Sequence, residues 1–150
     1  MASSNAVSDL YKAHQVGQER YTYFLLAASG AAIGFAVQKT EGLHLSWWLL
    51  PVALATLCWA CSFYCGCKNI DSVHASIGAN SNLLQLKQGT HPGQPPHPQL
   101  VEVAISTVSH VLDGNIRRAG FYGRWQFRFL VSGAALFIGW RVVEMVRSSL

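Results

Sequence analysis

Four cysteines, Cys58, Cys61, Cys65 and Cys67, crowd into CWACSFYCGC, and they are the residues whose types and spacing could most plainly do chemistry. On a helix, Cys58, Cys61 and Cys65 stand at i, i+3 and i+7 and share a face, while Cys67 points elsewhere. Thiolates on one face could ligate a metal or form a redox pair, with His74, one to two turns further along, or His14 completing the set. A tetrahedral zinc site needs four ligands, however, and one continuous helix presents only part of such a set. The competing reading is packing, because cysteine is a small apolar residue and a cytoplasmic-side position keeps it reduced. A single helical CxxC favours packing; a second one on a separate loop would have favoured metal. The metal candidates are therefore Cys58, Cys61, Cys65 and His74, and no cofactor is expected.

His91 and His97 flank the prolines of HPGQPPHP and titrate near neutral pH when unperturbed. They could bind a transition metal, but the composition favours solvated loop residues. His44 and His110 have no identifiable partner. The acidic residues are Asp9, Glu19, Glu41, Asp71, Glu102, Asp113 and Glu144. None falls mid-way along an apolar segment, where a proton relay or cation-coupled transporter places one. Nor is there a phosphate-binding glycine loop, an HExxH or a GxSxG pattern. An enzyme is disfavoured.

The elements that must position these residues are apolar. The chain is 51% hydrophobic and only 12% charged, about half the usual charged share of a soluble protein. Between Glu41 and Lys68 no residue carries a formal charge, a stretch that at ~1.5 Å per residue crosses ~30 Å of hydrocarbon. This is the span expected over 46–68, beginning with Trp47 and Trp48 at one interface and ending at Lys68 near the other. Pro51 is tolerated there in a first turn. A first span is expected over 21–38, YTYFLLAASGAAIGFAVQ, joined to the second by a tight connection from Gln38 to Leu45. Gly34-Phe35-Ala36 could pass as a signal-peptidase site, but the preceding segment is too long and too little basic for an ordinary leader. Residues 1–20 form a cytoplasmic segment in which Val7, Leu10, Tyr11 and His14 follow a weak helical spacing, either a surface helix or a frayed tail.

Residues 69–123 make the only sizeable part outside the spans. Ile70, Val73, Ile77 and Leu84 keep to one helical face up to about Gln88, and the proline-rich tip 89–99 then breaks the helix. Val101, Ile105, Val108, Leu112 and Ile116 form a second stripe, so the segment reads as an amphipathic helical hairpin whose second arm Asp113-Gly114-Asn115 could kink or end. A third span is expected over 127–146. Its uncharged stretch between Arg128 and Arg141 is short, so the span requires both arginines to snorkel; an interfacial helix is the alternative.

With the N-terminus inside, Lys12, Arg20, Lys68, Lys87, Arg117, Arg118, Arg124 and Arg128 are cytoplasmic, against Lys39, Arg141 and Arg147 outside. That bias satisfies the positive-inside rule and makes the hairpin cytoplasmic. Trp47, Trp48, Arg124 and Arg128 are the interface anchors. The scattered basic residues give no nucleic-acid footprint. Gly30 and Gly34 form a GxxxG pattern, and Ala135 and Gly139 a looser small-xxx-small pair; both suit close helix packing, within the chain or against another copy, the former slightly favoured.

The segments YFLLAASGAAIGFAVQKT, residues 23–40, and CWACSFYCGC, residues 58–67, together resemble a set of small bacterial multi-span membrane proteins to which no activity is attached. The resemblance covers the first two spans and implies a bacterial inner-membrane setting, with no ligand and no catalytic residue. The expectation is thus an all-α integral membrane protein acting as a non-enzymatic scaffold or effector subunit, through helix association and a hairpin that meets a protein partner or another copy. The alternatives are a metal- or haem-binding redox protein using the Cys58, Cys61 and Cys65 face, and a subunit of an oligomeric channel or transporter.

Overall fold

A computed structural model describes residues 2–42 and 47–149, with side chains from Val16 onward. The described residues form three long α-helices and one short 3-10 turn, with no strand among them. Helix α1 runs Ala2–Thr40, α2 Leu50–Gln88 and α3 Pro98–Ser148; each is long and apolar enough to cross a membrane. His44 and Ser46, the expected start of the second span, lie outside the described residues, as do the side chains of Val7, Leu10, Tyr11 and His14. The backbone from Ala2 onward is helical.

Glycine and proline set the helix ends. Just past α1, Gly42 adopts φ 79°, and just past α2, Gly89 adopts φ 73°, left-handed conformations that glycine reaches without a Cβ penalty. Gly89 closes a Schellman motif: its N–H donates to the Leu86 carbonyl at 3.3 Å and that of Thr90 to Gln85 at 3.0 Å. The turn 3-10 Trp47–Leu49 leads into α2, where Pro51 stands in the first turn and forfeits no helical hydrogen bond. Pro98 opens α3 in the same way, and the His97 carbonyl accepts from the N–H groups of Leu100 and Val101.

One expectation of the sequence needs correction. Asp113-Gly114-Asn115 does not end the second arm: it lies, with 127–146, in the single 51-residue helix α3. Isolated glycines each cost about 1 kcal/mol of helix propensity relative to alanine but forbid nothing sterically, and no proline follows Pro98 to remove a donor.

The chain divides into two compact units, Met1–Cys67 with Gly123–Leu150 and Lys68–Tyr122. In the first, buried positions recur at three-, four- and seven-residue steps: Thr22, Leu25, Ser29 and Ala36 on α1, and Val52, Ala55, Trp59, Ser62 and Cys65 on α2. Gln126, Gly133 and Trp140 continue the pattern at seven-residue steps on α3. That near-3.5 period is the seam of helices packed at shallow angles. In the second unit, the arms bury Leu83 and Leu86 and half-bury Val101, Ile105, Val108 and Leu112. Ile77 and Leu84 on the first arm and Ile116 on the second, expected on the inner faces, are exposed.

Replacing Gly89 by alanine forces a Cβ into the left-handed region, at about 1–2 kcal/mol. Hydrogen exchange of the amides preceding it, residues 83–88, is expected to quicken about five- to thirtyfold, with the Met1–Cys67 unit unchanged.

Candidate functional site

A closed loop of hydrogen bonds ties the three helices of the first unit together. Ser29 Oγ on α1 lies 2.8 Å from the Leu25 carbonyl and 3.1 Å from Ser62 Oγ on α2, so its one proton serves both. Ser62 in turn donates to the Gln126 carbonyl of α3 at 2.8 Å. The circuit closes when Gln126 Nε2 reaches back to the Thr22 carbonyl of α1 at 3.4 Å. Beside it, the Trp59 indole N–H donates to the Leu130 carbonyl at 3.2 Å. Trp59 and Ser62 stand three apart on α2, and their acceptors stand four apart on α3, so one helix face addresses successive turns of the other. Ser29, Ser62 and Gln126 are all 0% exposed. Gln126 Oε1 is buried without a hydrogen-bond partner.

Two glycines make room for this circuit. A Cβ on Gly66 would meet Gln126 Nε2 at 2.6 Å and Leu26 Cδ2 at 2.7 Å, so its absence is what lets the glutamine amide cross to α1. A Cβ on Gly133 would meet the Trp59 indole N at 2.6 Å and the Ala55 carbonyl oxygen at 3.0 Å, so its absence seats the indole. Towards the other end of the unit the interior turns apolar, with Ala36, Val52, Ala55, Trp59 and Trp140 as one cluster. Phe137 joins the helices there, its ring 5.8 Å from Phe35, 5.7 Å from Trp59 and 5.6 Å from Trp140.

The exterior of this unit inverts the usual polarity. Phe24 is 68% exposed, Leu57 60% and Ile138 62%, and Val37, Leu54, Phe63, Val131 and Val142 are exposed with them. Serine and glutamine are inside.

The expected site residues are distributed as follows. Cys65 is buried, Cys58 and Cys61 are half-buried and Cys67 is exposed, all as free thiols. His74 is an exposed residue of the second unit. Among the described residues, no three His, Cys, Asp or Glu side chains gather where a metal ion could be held. At the tip of the second unit, His91 Nδ1 accepts the N–H of Gly93 at 3.0 Å, a local turn that occupies that ring nitrogen. Trp47 is 88% exposed. The Arg147 guanidinium lies over the Trp48 ring at 4.9 Å, and that of Arg128 over the Trp125 ring at 5.4 Å. Arg124 is exposed.

Gly30, Gly34 and Gly139 face open space: a Cβ on any of them would meet nothing within 4 Å among the described residues. Among the described residues these glycines make none of the close packing within the chain that the sequence slightly favoured. Ala135 and Gly139 instead line an apolar surface groove. Ser62, Gln126 and Gly66 lie outside the sequence motifs, while Ser29 and Gly133 belong to the Ser-Gly-Ala-Ala segments at 29–32 and 132–135. A signal existed: each is a polar or minimal residue in or beside an apolar run, a position where polar groups bridge helices.

No family model, curated protein or solved structure matches the chain.

Gly133→Ala is expected to destabilise the unit by about 1–3 kcal/mol, since a rigid indole and a backbone carbonyl must move. Gly66→Ala displaces the buried Gln126 amide and Leu26 and is expected to cost a comparable amount, whereas Gly30→Ala and Gly34→Ala should gain up to about 1 kcal/mol of helix propensity. Unfolding midpoints in detergent give this ranking. Ser62→Ala removes two cross-helix bonds at roughly 0.6 kcal/mol each and should lower the same midpoint by about 1 kcal/mol of stability.

Proposed function

We propose that this chain is a multi-pass bacterial inner-membrane protein that works without catalysis, as a scaffold or effector subunit. The observation that carries the membrane placement is the inverted polarity of the three-helix unit. Soluble monomers rarely expose contiguous apolar patches beyond a few hundred Å², and a helix surface of Phe24, Leu57 and Ile138 needs a lipid solvent. Inside lipid there is no hydrophobic drive between helices, so association rests on close packing and interhelical hydrogen bonds. The serine and glutamine circuit and the two clearance glycines supply both. The arginines support the same placement, since Arg128 and Arg147 rest on tryptophans in the way cations at a membrane interface do.

The scaffold role rests on what is left uncovered. Gly30 and Gly34 leave a face of α1 on which another helix can approach closely, and the two-helix unit Lys68–Tyr122 leaves Ile77, Leu84, Val103 and Val111 exposed. Under the charge bias of the sequence, that unit faces the cytoplasm. The hydroxyls of Ser29 and Ser62 are committed to holding helices and are buried, which suits a structural use of the polar residues.

Native mass spectrometry of the full-length protein, released from carbonate-washed membranes into mild detergent, tests this reading. A defined oligomer without added cofactor mass is expected, shifting to monomer in Gly34→Leu. Recovery in the carbonate-soluble fraction would refute the membrane placement. A monomer carrying metal or haem would replace the scaffold by the redox alternative, and a bare monomer would remove self-association.

A further inference from the structure

We propose that the first unit binds one membrane phospholipid, its acyl chain in the groove between the start of α2 and α3 and its anionic headgroup on Arg147. The proposal rests on the membrane reading above. The groove has a volume of about 420 Å³ and is lined by Trp48, Pro51, Ala135, Leu136, Gly139, Trp140 and Val143, an almost wholly apolar wall. A polar solute finds nothing to bond there; an alkyl chain does.

Length and charge select the lipid. Ala135 to Val143 spans about 12 Å of helix, which fits within one leaflet of a ~30 Å hydrocarbon layer. Arg147 follows Val143 by one turn, so its guanidinium falls where a chain lying in the groove would meet its headgroup. The guanidinium is held at that end by Trp48, which both lines the groove and lies 4.9 Å beneath the cation. No carboxylate among the described residues neutralises Arg147. The nearby pair shows the contrast, because Arg141 is joined to Glu144 at 2.9 Å and that acid is taken up. A cation bonded to a ring face keeps its N–H donors for phosphate oxygens. Small residues at Ala135 and Gly139 provide the hollow, and the arginine at its mouth distinguishes an anionic amphiphile from a bare hydrocarbon.

The test is native mass spectrometry of full-length protein in detergent with phosphatidylglycerol or phosphatidylcholine of identical chains added at equal mole fraction. Wild type is expected to retain one lipid per chain, with phosphatidylglycerol favoured about fivefold. Arg147→Gln should abolish that preference, and Arg141→Gln should leave it intact. Gly139→Leu fills the groove from a position where an added Cβ meets nothing, and should abolish retention of both lipids. Equal retention by wild type and Gly139→Leu would overturn the groove, and a preference surviving Arg147→Gln would overturn the headgroup contact. A lipid-free dimer lost in Gly139→Leu would assign the groove to a second copy instead. Each variant is first recovered from carbonate-washed membranes, so loss to the soluble fraction would refute the membrane reading, and membrane-retained protein without lipid selectivity would refute this proposal alone.

Discussion

Everything in the three-helix unit depends on the need to pair polar groups buried beneath an outer surface of apolar side chains. A hydroxyl or amide left alone in such a place costs about 1–3 kcal/mol, more than the net gain of most single hydrogen bonds. Ser29, Ser62 and Gln126 therefore come as a set. The path from α1 to α2 to α3 and back to Thr22 gives each helix a contact with both others. Among the described residues of this unit, pairing stops at the unpartnered Gln126 Oε1. Its amide cannot simply be turned over, because the oxygen would then oppose the Thr22 carbonyl.

Close approach is the second half of the same constraint. Trp59 must lie against Gly133 for its N–H to reach Leu130, and the glutamine must pass over Gly66 to reach Thr22. Each hydrogen bond is thus paired with a missing Cβ. The energies involved per bond are small, roughly 0.6 kcal/mol, so specificity of register comes from the clearances as much as from the bonds. The aromatic contacts of Phe137 complete the interior where no polar pair is needed.

The all-helical class and three apolar helices were legible in the sequence because length, charge depletion and proline punctuation act locally. Gln88, Gly89 and Pro98 announce their roles without knowledge of any partner. The arms of Lys68–Tyr122 were legible only in part: Val101, Ile105, Val108 and Leu112 turn inward, but Leu83 and Leu86, rather than Ile77 and Leu84, are buried on the other arm. A period of 3.6 defines a face only to within about one residue, and the choice between neighbouring leucines belongs to tertiary packing. Asp113-Gly114-Asn115, which could have ended the second arm, lies inside α3 for a related reason. Glycine lowers helix propensity but does not terminate a helix whose flanks favour continuation.

The glycines show where sequence reasoning reaches its limit and what the structure adds. A GxxxG spacing identifies residues able to bring backbones together, yet Gly30 and Gly34 face open space while Gly66 and Gly133, in no such motif, carry the close contacts. Spacing reports which residues share a face of their own helix; it is silent on which face meets a neighbour. The two classes imply different uses. Interior glycines are fixed by the indole and amide that fill their space, so their selection pressure is stability. Exterior ones have no internal partner to satisfy, and a small residue on an exposed apolar surface sacrifices contact area and helix propensity together. That sacrifice makes physical sense where something else, a second helix against Gly30 and Gly34 or a lipid chain against Gly139, occupies the hollow it leaves.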